Sequence, residues 1–493
     1  MSDSKLKKGI LSGMVWKVME QGGRQIIRLI IQIILARLLV PKDFGLITII
    51  GIFTSIGDVF VNASLGNALV QKKEIDDVDC SSVFYLNISF SAIVYSVIFM
   101  LAPVVSNFFN APDLCNLLRV QAITVIIAGF NVIQSAIIQR RMQFKAFFIR
   151  QLLVLFVQGA VGISMAYLGF GVWSLVISTV VSSVVGMISL WKFAKWRPKL
   201  LFSIHRVLVL FRYGIKLLLS NLIQVGSDNL ANIIVGKAYN PTNLGFYSKG
   251  IHLPDVIIST MDGPIQSVLF PAMSKKQDDK AAMRKMAKRM IMTSCFITIP
   301  SMFGLAAVAT PLITVMYTSK WLPAVFFLQV LSIGRSIFPV HTTNLQVINA
   351  LGRSDIFLKL EVFKTVLTFI IIALVLPHGI HTFVIAISVG NIFSMLLNAW
   401  PNKKLIDYGF VDQMKDIFPI LFLSLAMAII VYFIQFMGFS TGFTLLLQVF
   451  VGVIIYLGTA WLLKFECLKF VTEMLKPYWI RRKNSLKQSV KLD

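Results

Sequence analysis

The sequence predicts an all-α integral membrane protein of fourteen transmembrane helices, arranged as two parallel-repeat six-helix lobes plus two C-terminal helices. Three observations carry this. The 493-residue chain is 57% hydrophobic and 14% charged, whereas a water-soluble chain carries about 25% charge. Apolar runs of spanning length recur along it, with basic residues gathered in every second connection. A stretch near the N-terminus reappears 200 positions later.

The first run, Gly13–Gly45, sets the pattern. It is long enough to cross a bilayer, yet Lys17, Glu20, Gln21, Arg24, Arg28 and Gln32 fall on it. At about 100° per residue these six share an arc of about 120°. An ionised group facing hydrocarbon costs at least about 2.5–3.5 kcal/mol, so the stripe belongs against water or protein. A helix lying flat at the interface would also satisfy it. Ile26–Leu39, however, is apolar over most of its circumference, which favours a span lining a hydrophilic cavity. Further runs follow near residues 45–70, 82–105, 117–138, 147–168, 171–191, 212–235, 251–272, 290–316, 323–348, 356–377, 380–400, 417–437 and 442–463.

Charge tests this count. With the N-terminus inside, most of the 47 Lys and Arg residues fall in inside segments, above all Lys192–Arg206, Lys275–Arg289 and Lys464–Lys491. The outside loops carry only Arg37, Lys42, Arg119, Lys237, Lys249 and Lys320. One missed helix would invert the alternation, so both termini are expected in the cytoplasm. A net charge of +25 would suggest nucleic acid in a soluble chain, but here the cations punctuate apolar runs and set topology. The basic segments 192–212 and 275–289 are expected to touch anionic lipid. The basic start at Lys5, Lys7 and Lys8 lacks a compact apolar core with a cleavage site and reads as uncleaved. Cys80, Cys115, Cys295 and Cys467 form neither a disulfide framework nor a metal motif.

The repeat places Ile33-Ile34-Leu35-Ala36-Arg37 over Ile233-Ile234-Val235-Gly236-Lys237, and Pro41, Phe44 and Gly45 over Pro241, Leu244 and Gly245. The polar stripe recurs in register: Gln21, Arg24, Arg28 and Gln32 correspond to Asn221, Gln224, Asp228 and Asn232. Six helices separate the copies. An even number preserves orientation, so the repeat is parallel and places the first and seventh spans on either side of a central cleft. The expected organisation is a six-helix lobe over 1–195, a basic cytoplasmic linker over 196–212, a second six-helix lobe over 213–403, helices thirteen and fourteen over 404–464, and a cytoplasmic tail over 465–493. The last two helices have no partner in the repeat and read as an appendage.

No Walker A, GxGxxG or HExxH pattern is present. Asp77-Val78-Asp79 spells the DxD of metal–nucleotide-sugar sites, but with no catalytic domain around it the reading is a solvated charged turn. His378 and His381 have no supporting carboxylate, so no metal site and no cofactor are expected. The cavity set is richer: Lys17, Glu20, Arg24 and Arg28 on span one, Asp58 and Asn62 on span two, Asn131 and Gln134 on span four, Asn221, Gln224, Asp228 and Asn232 on span seven, and Arg335, His341 and Asn344 on span ten. Arginine presents a planar fork suited to a diphosphate, and amides suit sugar hydroxyls, so the set points to a large, anionic, hydroxyl-rich ligand. Each of these groups could instead pair with a neighbour simply to pack helices. Arg28 and Asp228 hold equivalent positions and form a candidate gate pair. Glu20, Asp58 and Asp228 are candidate sites for a coupling ion, H⁺ or Na⁺.

The blocks ILARLLVPKDFGLITI (34–49), SLGNALVQKKEIDDVDCSSVFYLNI (64–88), IIQRRMQFKAF (137–147) and NLANIIVGKAYNPTNLGFYSKGIHLP (229–254) resemble the bacterial polysaccharide transporters. These are the O-antigen and exopolysaccharide flippases of the multidrug/oligosaccharidyl-lipid/polysaccharide superfamily. The resemblance implies a non-enzymatic, multi-pass protein of the bacterial inner membrane. It implies alternating-access translocation of undecaprenyl-diphosphate-linked oligosaccharide for cell-surface polysaccharide synthesis, with Arg24 and Arg28 as head-group ligands. The expected partners are that lipid-linked oligosaccharide, membrane lipids and the polysaccharide polymerase machinery. A peptidoglycan-precursor lipid flippase and a multidrug antiporter of the same superfamily are the alternatives. A drug-cation cavity should carry acids in an apolar pocket, whereas this stripe is net basic. Membrane enzymes acting on sugars need larger outside loops.

Overall fold

A computed structural model describes residue 25 and residues 27–62, 66, 69–70, 72, 74–264, 269–465 and 467–468. Every regular element among them is helical, as an apolar solvent requires of a chain that must answer its own backbone polar groups. Eleven of the helical segments are long and apolar enough to cross a membrane. By internal contacts the chain divides into two units, Met1–Ser248 and Lys249–Asp493.

The first unit contains α1 (27–38), α2 (Pro41–Asn62), α3 (Asp77–Phe108), α4 (Leu114–Gln121), α5 (Ile123–Arg140), α6 (Phe144–Tyr167), α7 (Trp173–Ala194) and α8 (Ile204–Tyr239), and ends within α9 (Pro241–Pro264). α6 packs along α7, and α5 joins α7 to α2 and α3. Sequence explains the closeness. Ser174, Ser178, Ser182 and Gly186 recur every four residues on α7, putting a stripe of small groups on one face. A Cβ on Gly162 of α6 would meet Ser178 at 3.2 Å, and one on Gly186 would meet Val154 at 2.8 Å.

α2 and α9 begin alike, each on a proline whose missing N–H suits a first helical turn. The Asp43 carboxylate accepts from Val40 N at 3.2 Å, and Asn240 Oδ1 accepts from Asn243 N at 3.0 Å. The two starts then meet backbone to backbone. A Cβ on Gly45 would overlap the Pro241 carbonyl oxygen, and one on Gly245 would overlap that of Pro41. The contact is reciprocal, and its two members are the pair aligned by the 200-residue offset.

The second unit contains the rest of α9 together with α10 (Phe270–Ser274), α11 (Lys280–Ala307), α12 (Ala309–Tyr317), α13 (Ala324–Arg335), α14 (Phe338–Ala350), α15 (Ser354–Val375), α16 (Ile380–Leu397), α17 (Asn402–Ile406), α18 (Phe410–Phe433) and α19 (Thr441–Leu462). α18, expected as part of an appendage, runs along α11 and shares its core, where Ile291, Cys295 and Ile299 meet Ile417, Ile420 and Met427. α19 is tied in through polar groups that would otherwise face hydrocarbon. Tyr456 Oη donates to Phe296 O (2.8 Å) and Gln448 Nε2 to Val431 O (2.9 Å). A closed amide knot fixes the ends: Asn344 and Gln413 exchange bonds of 2.8 and 2.9 Å, and Asn402 Nδ2 donates to Asn344 Oδ1 at 2.5 Å.

Overpacking a close backbone contact costs on the order of 1–3 kcal/mol. Gly45→Ala and Gly245→Ala should each lower the thermal unfolding midpoint in lipid nanodiscs by several degrees, whereas Gly51→Ala, whose Cβ would meet nothing within 4 Å, should leave it unchanged.

Candidate functional site

Of the expected cavity residues on the first span, Lys17, Glu20 and Arg24 lie outside the described residues. Arg28 is exposed on α1, and Gln32, one turn on, is half-buried with its Oε1 unpartnered. On α8, Gln224 and Asp228 are exposed and Asn221 and Asn232 half-buried. Spacings of three and four residues keep all four on one helical face. Asn232 Nδ2 donates to Asn229 Oδ1 (3.3 Å), and Asn229 Nδ2 to the α8 carbonyl of Val225 (2.9 Å). Asp58 is exposed on α2.

The other candidates lie among neighbouring helices. Gln134 is fully buried. With its amide turned to satisfy both ends, it donates to Phe130 O (2.5 Å) and accepts from Trp191 Nε1 (3.3 Å), joining α5 to α7. Asn131 is half-buried with Oδ1 unpartnered. Asn344 belongs to the amide knot. His341 Nδ1 lies 2.6 Å from Asn398 Nδ2. Arg335 forms an ion pair with Asp255 of α9. Sequence reading missed Asp255, and it missed Lys364 with Glu361 in the middle of α15. The signal was available for both, because an ionisable residue within a span is a functional candidate by default.

The second unit also carries an apolar groove of about 1170 Å³ between α9, α11, α18 and α19, lined by Ile257, Ile297, Pro300, Gly304, Phe443 and Val449 among others. Pro300 interrupts the α11 backbone ladder there, and Gly304 adds no side chain to the groove wall.

At the end where α3 begins, the acidic turn is an anchor rather than a solvated loop. Asp76 caps α3 by accepting from Asp79 N (2.8 Å), and the Asp79 carboxylate returns the bond to Asp76 N (3.3 Å). Asp79 is only 2% exposed and is held by Lys72 (2.6 Å) and Arg206 (3.3 Å). Asp77 binds Lys199 (2.6 Å) and Trp196 Nε1 (3.2 Å), while Arg206 also pairs with Asp76. Ser81 and Ser82 accept from the backbone of Lys199 and Ser203. The basic linker is therefore strapped across the start of α3, with Leu200 left 95% exposed at its crest. The backbone bond from Asp79 and the Arg206 guanidinium draw the Asp76 carboxyl down from 3.8 to about 2.

The spans define a multi-pass membrane protein. The chain belongs to the polysaccharide biosynthesis protein family, whose model matches residues 34–326. It is 23% identical to the succinoglycan biosynthesis transport protein ExoT of Rhizobium meliloti over 73% of each chain. It is 24% identical to the lipopolysaccharide biosynthesis protein WzxC of Escherichia coli over 80% of each. The fold matches the lipid II flippase MurJ in an inward closed conformation with a TM-score of 0.71 at 17% identity, over 91% of this chain and 97% of that one.

Because a lowered carboxyl stabilises the folded state above its unfolded value, the Asp76 contribution is complete above 3.8 and is lost as pH falls through about 2. At neutral pH the strap should therefore resist trypsin after Lys195 and Lys199, the two basic residues there not followed by proline. Asp76→Ala should make both bonds cleavable, read by mass spectrometry of the fragments.

Proposed function

We propose that the chain flips polyprenyl-diphosphate-linked oligosaccharide units across the bacterial cytoplasmic membrane by alternating access, supplying cell-surface polysaccharide synthesis. The observation that carries this reading is the division of labour between surfaces in a member of the polysaccharide biosynthesis protein family. An apolar groove of about 1170 Å³ lies along the spans of the second unit, and a cation-and-amide face lies on spans of the first. Such an amphiphile needs both. A C-terminal groove built from α18 and α19 would shelter the polyprenyl tail, which gives the two helices outside the repeat a purpose. Arg28 with Gln224 and Asn221 would hold the diphosphate and its sugars through paired, charge-assisted hydrogen bonds. Within the second unit, Arg335 would exchange Asp255 for a phosphate.

In this reading the chain has fourteen spans, with α8 and α9 as the seventh and eighth. Residues 1–195 and 213–403 are parallel copies, both termini are cytoplasmic, and the basic strap rests on the inner leaflet. The reciprocal Pro41–Gly245 and Pro241–Gly45 contact supports the duplication, because copies related by a twofold axis touch isologously. Arg28 and Asp228 would act as a gate pair that substrate phosphates compete to open.

In proteoliposomes loaded with a fluorescent lipid-linked oligosaccharide, Arg28→Gln should slow flipping about tenfold or more, the loss of one charged hydrogen bond. Gly304→Trp should fill the groove and penalise a full-length polyprenyl tail more than a short one. The double exchange Arg28→Asp with Asp228→Arg should recover activity lost in either single change. Equal flipping by wild type and Arg28→Gln would overturn the head-group assignment, and no flipping by wild type would overturn the function.

A further inference from the structure

One cluster of charge in the second unit is used by neither the head-group face nor the groove. Lys364 is 7% exposed on the packed side of α15, while Leu358, Val362, Val366 and Phe369 on the same helix point outward. Its Nζ bonds the Glu361 carboxylate at 2.5 Å. On α14, which packs against α15, His341 Nδ1 lies 2.6 Å from Asn398 Nδ2, just past the end of α16. Lys364 lies ten residues from the start of α15 and His341 nine from the end of α14, so each sits about 14 Å along its helix. That is near the middle of a hydrocarbon layer about 30 Å thick. Packed neighbours thus carry two polar pairs, Lys364 with Glu361 and His341 with Asn398, at a depth where ionisable groups are costly.

We propose that His341, Asn398, Lys364 and Glu361 form a proton-binding site inside the second unit, whose occupancy is coupled to the transport cycle. Lys364 and Glu361 cancel one another, which leaves the imidazole as the group able to gain a charge. With the ring proton on Nε2, Asn398 Nδ2 donates to Nδ1. A proton taken from water adds to Nδ1, nothing leaves, and the amide turns so that Oδ1 accepts the new N–H. That oxygen is buried and without a partner in the present arrangement, so the second state needs only an amide rotation. The added charge is not balanced by Glu361, already engaged by Lys364, so holding it depends on whether α14, α15 and α16 admit water. This ties the bound proton to conformation.

The surroundings leave His341 as the group that changes charge. α10 carries no charged residue. The α11 cations Lys280, Arg284, Lys285, Lys288 and Arg289 are all exposed in its first turns, and its Cys295 thiol lies in the apolar core with Tyr456 and Cys467. On α15, Lys359 is exposed and Asp355 is paired with Arg353. α16 brings only His381, at its far end against Phe326 and Phe327. Lys403 and Lys404 of α17 are exposed, and Arg335 of α13 is paired with Asp255.

The coupling rests on the transport reading above, whereas proton binding does not, and two measurements keep them apart. Nitrogen-15 histidine NMR of the full chain in nanodiscs follows the five histidines, with His341→Gln identifying the signal. His341 should titrate with a midpoint that Lys364→Met raises and Glu361→Gln lowers, each by about one pH unit. In proteoliposomes, a pH gradient should speed flipping by wild type and leave His341→Gln unaffected. A signal that never titrates, or ignores both neighbours, overturns the site. A wild type that flips substrate indifferently to the gradient overturns the coupling. If wild type flips nothing while His341 titrates as expected, the transport reading fails and the proton site stands.

Discussion

Hydrocarbon offers no partner to a polar group, and the placement of nearly every polar side chain in this protein follows from that constraint. The acids at the start of α3 are consumed by a capping box and by the cations of the strap. The amides of Asn344, Gln413 and Asn402 close on one another. Tyr456 and Gln448 each answer a carbonyl of a neighbouring helix. Among the described residues some buried polar atoms stay outside such closed sets, Gln32 Oε1, Asn131 Oδ1 and Asn398 Oδ1 among them.

The two units differ in how their helices pack. In the first, small residues bring helices close and the polar stripe of α8 remains accessible. In the second, bulky apolar side chains dominate, and the interruption by Pro300 beside Gly304 leaves room between α9, α11, α18 and α19.

Fold class was legible in the sequence because apolar run length and loop charge are one-dimensional signals. The paired helix starts at Pro41 and Pro241 were legible for the same reason, since proline followed four residues later by glycine is a local pattern. The candidate site was only partly so. Arg28, Gln224 and Asp228 were found from helical periodicity and remain exposed. Gln134 was grouped with them although it binds Trp191, because periodicity cannot say which neighbour covers a face. Asp79 read as a solvated turn because the strap that buries it lies more than a hundred residues downstream. Lys364 and Asp255 were passed over because a single ion in a greasy helix hardly disturbs its apolar average.

The four-residue stripe of Ser174, Ser178, Ser182 and Gly186 has a practical corollary. Lipid tails are as apolar as leucine, so α6 and α7 are held by close approach and not by expulsion of water. Extraction into detergent exchanges one oily surrounding for another and leaves that attraction intact. The α6–α7 pair should accordingly survive solubilisation as a rigid body.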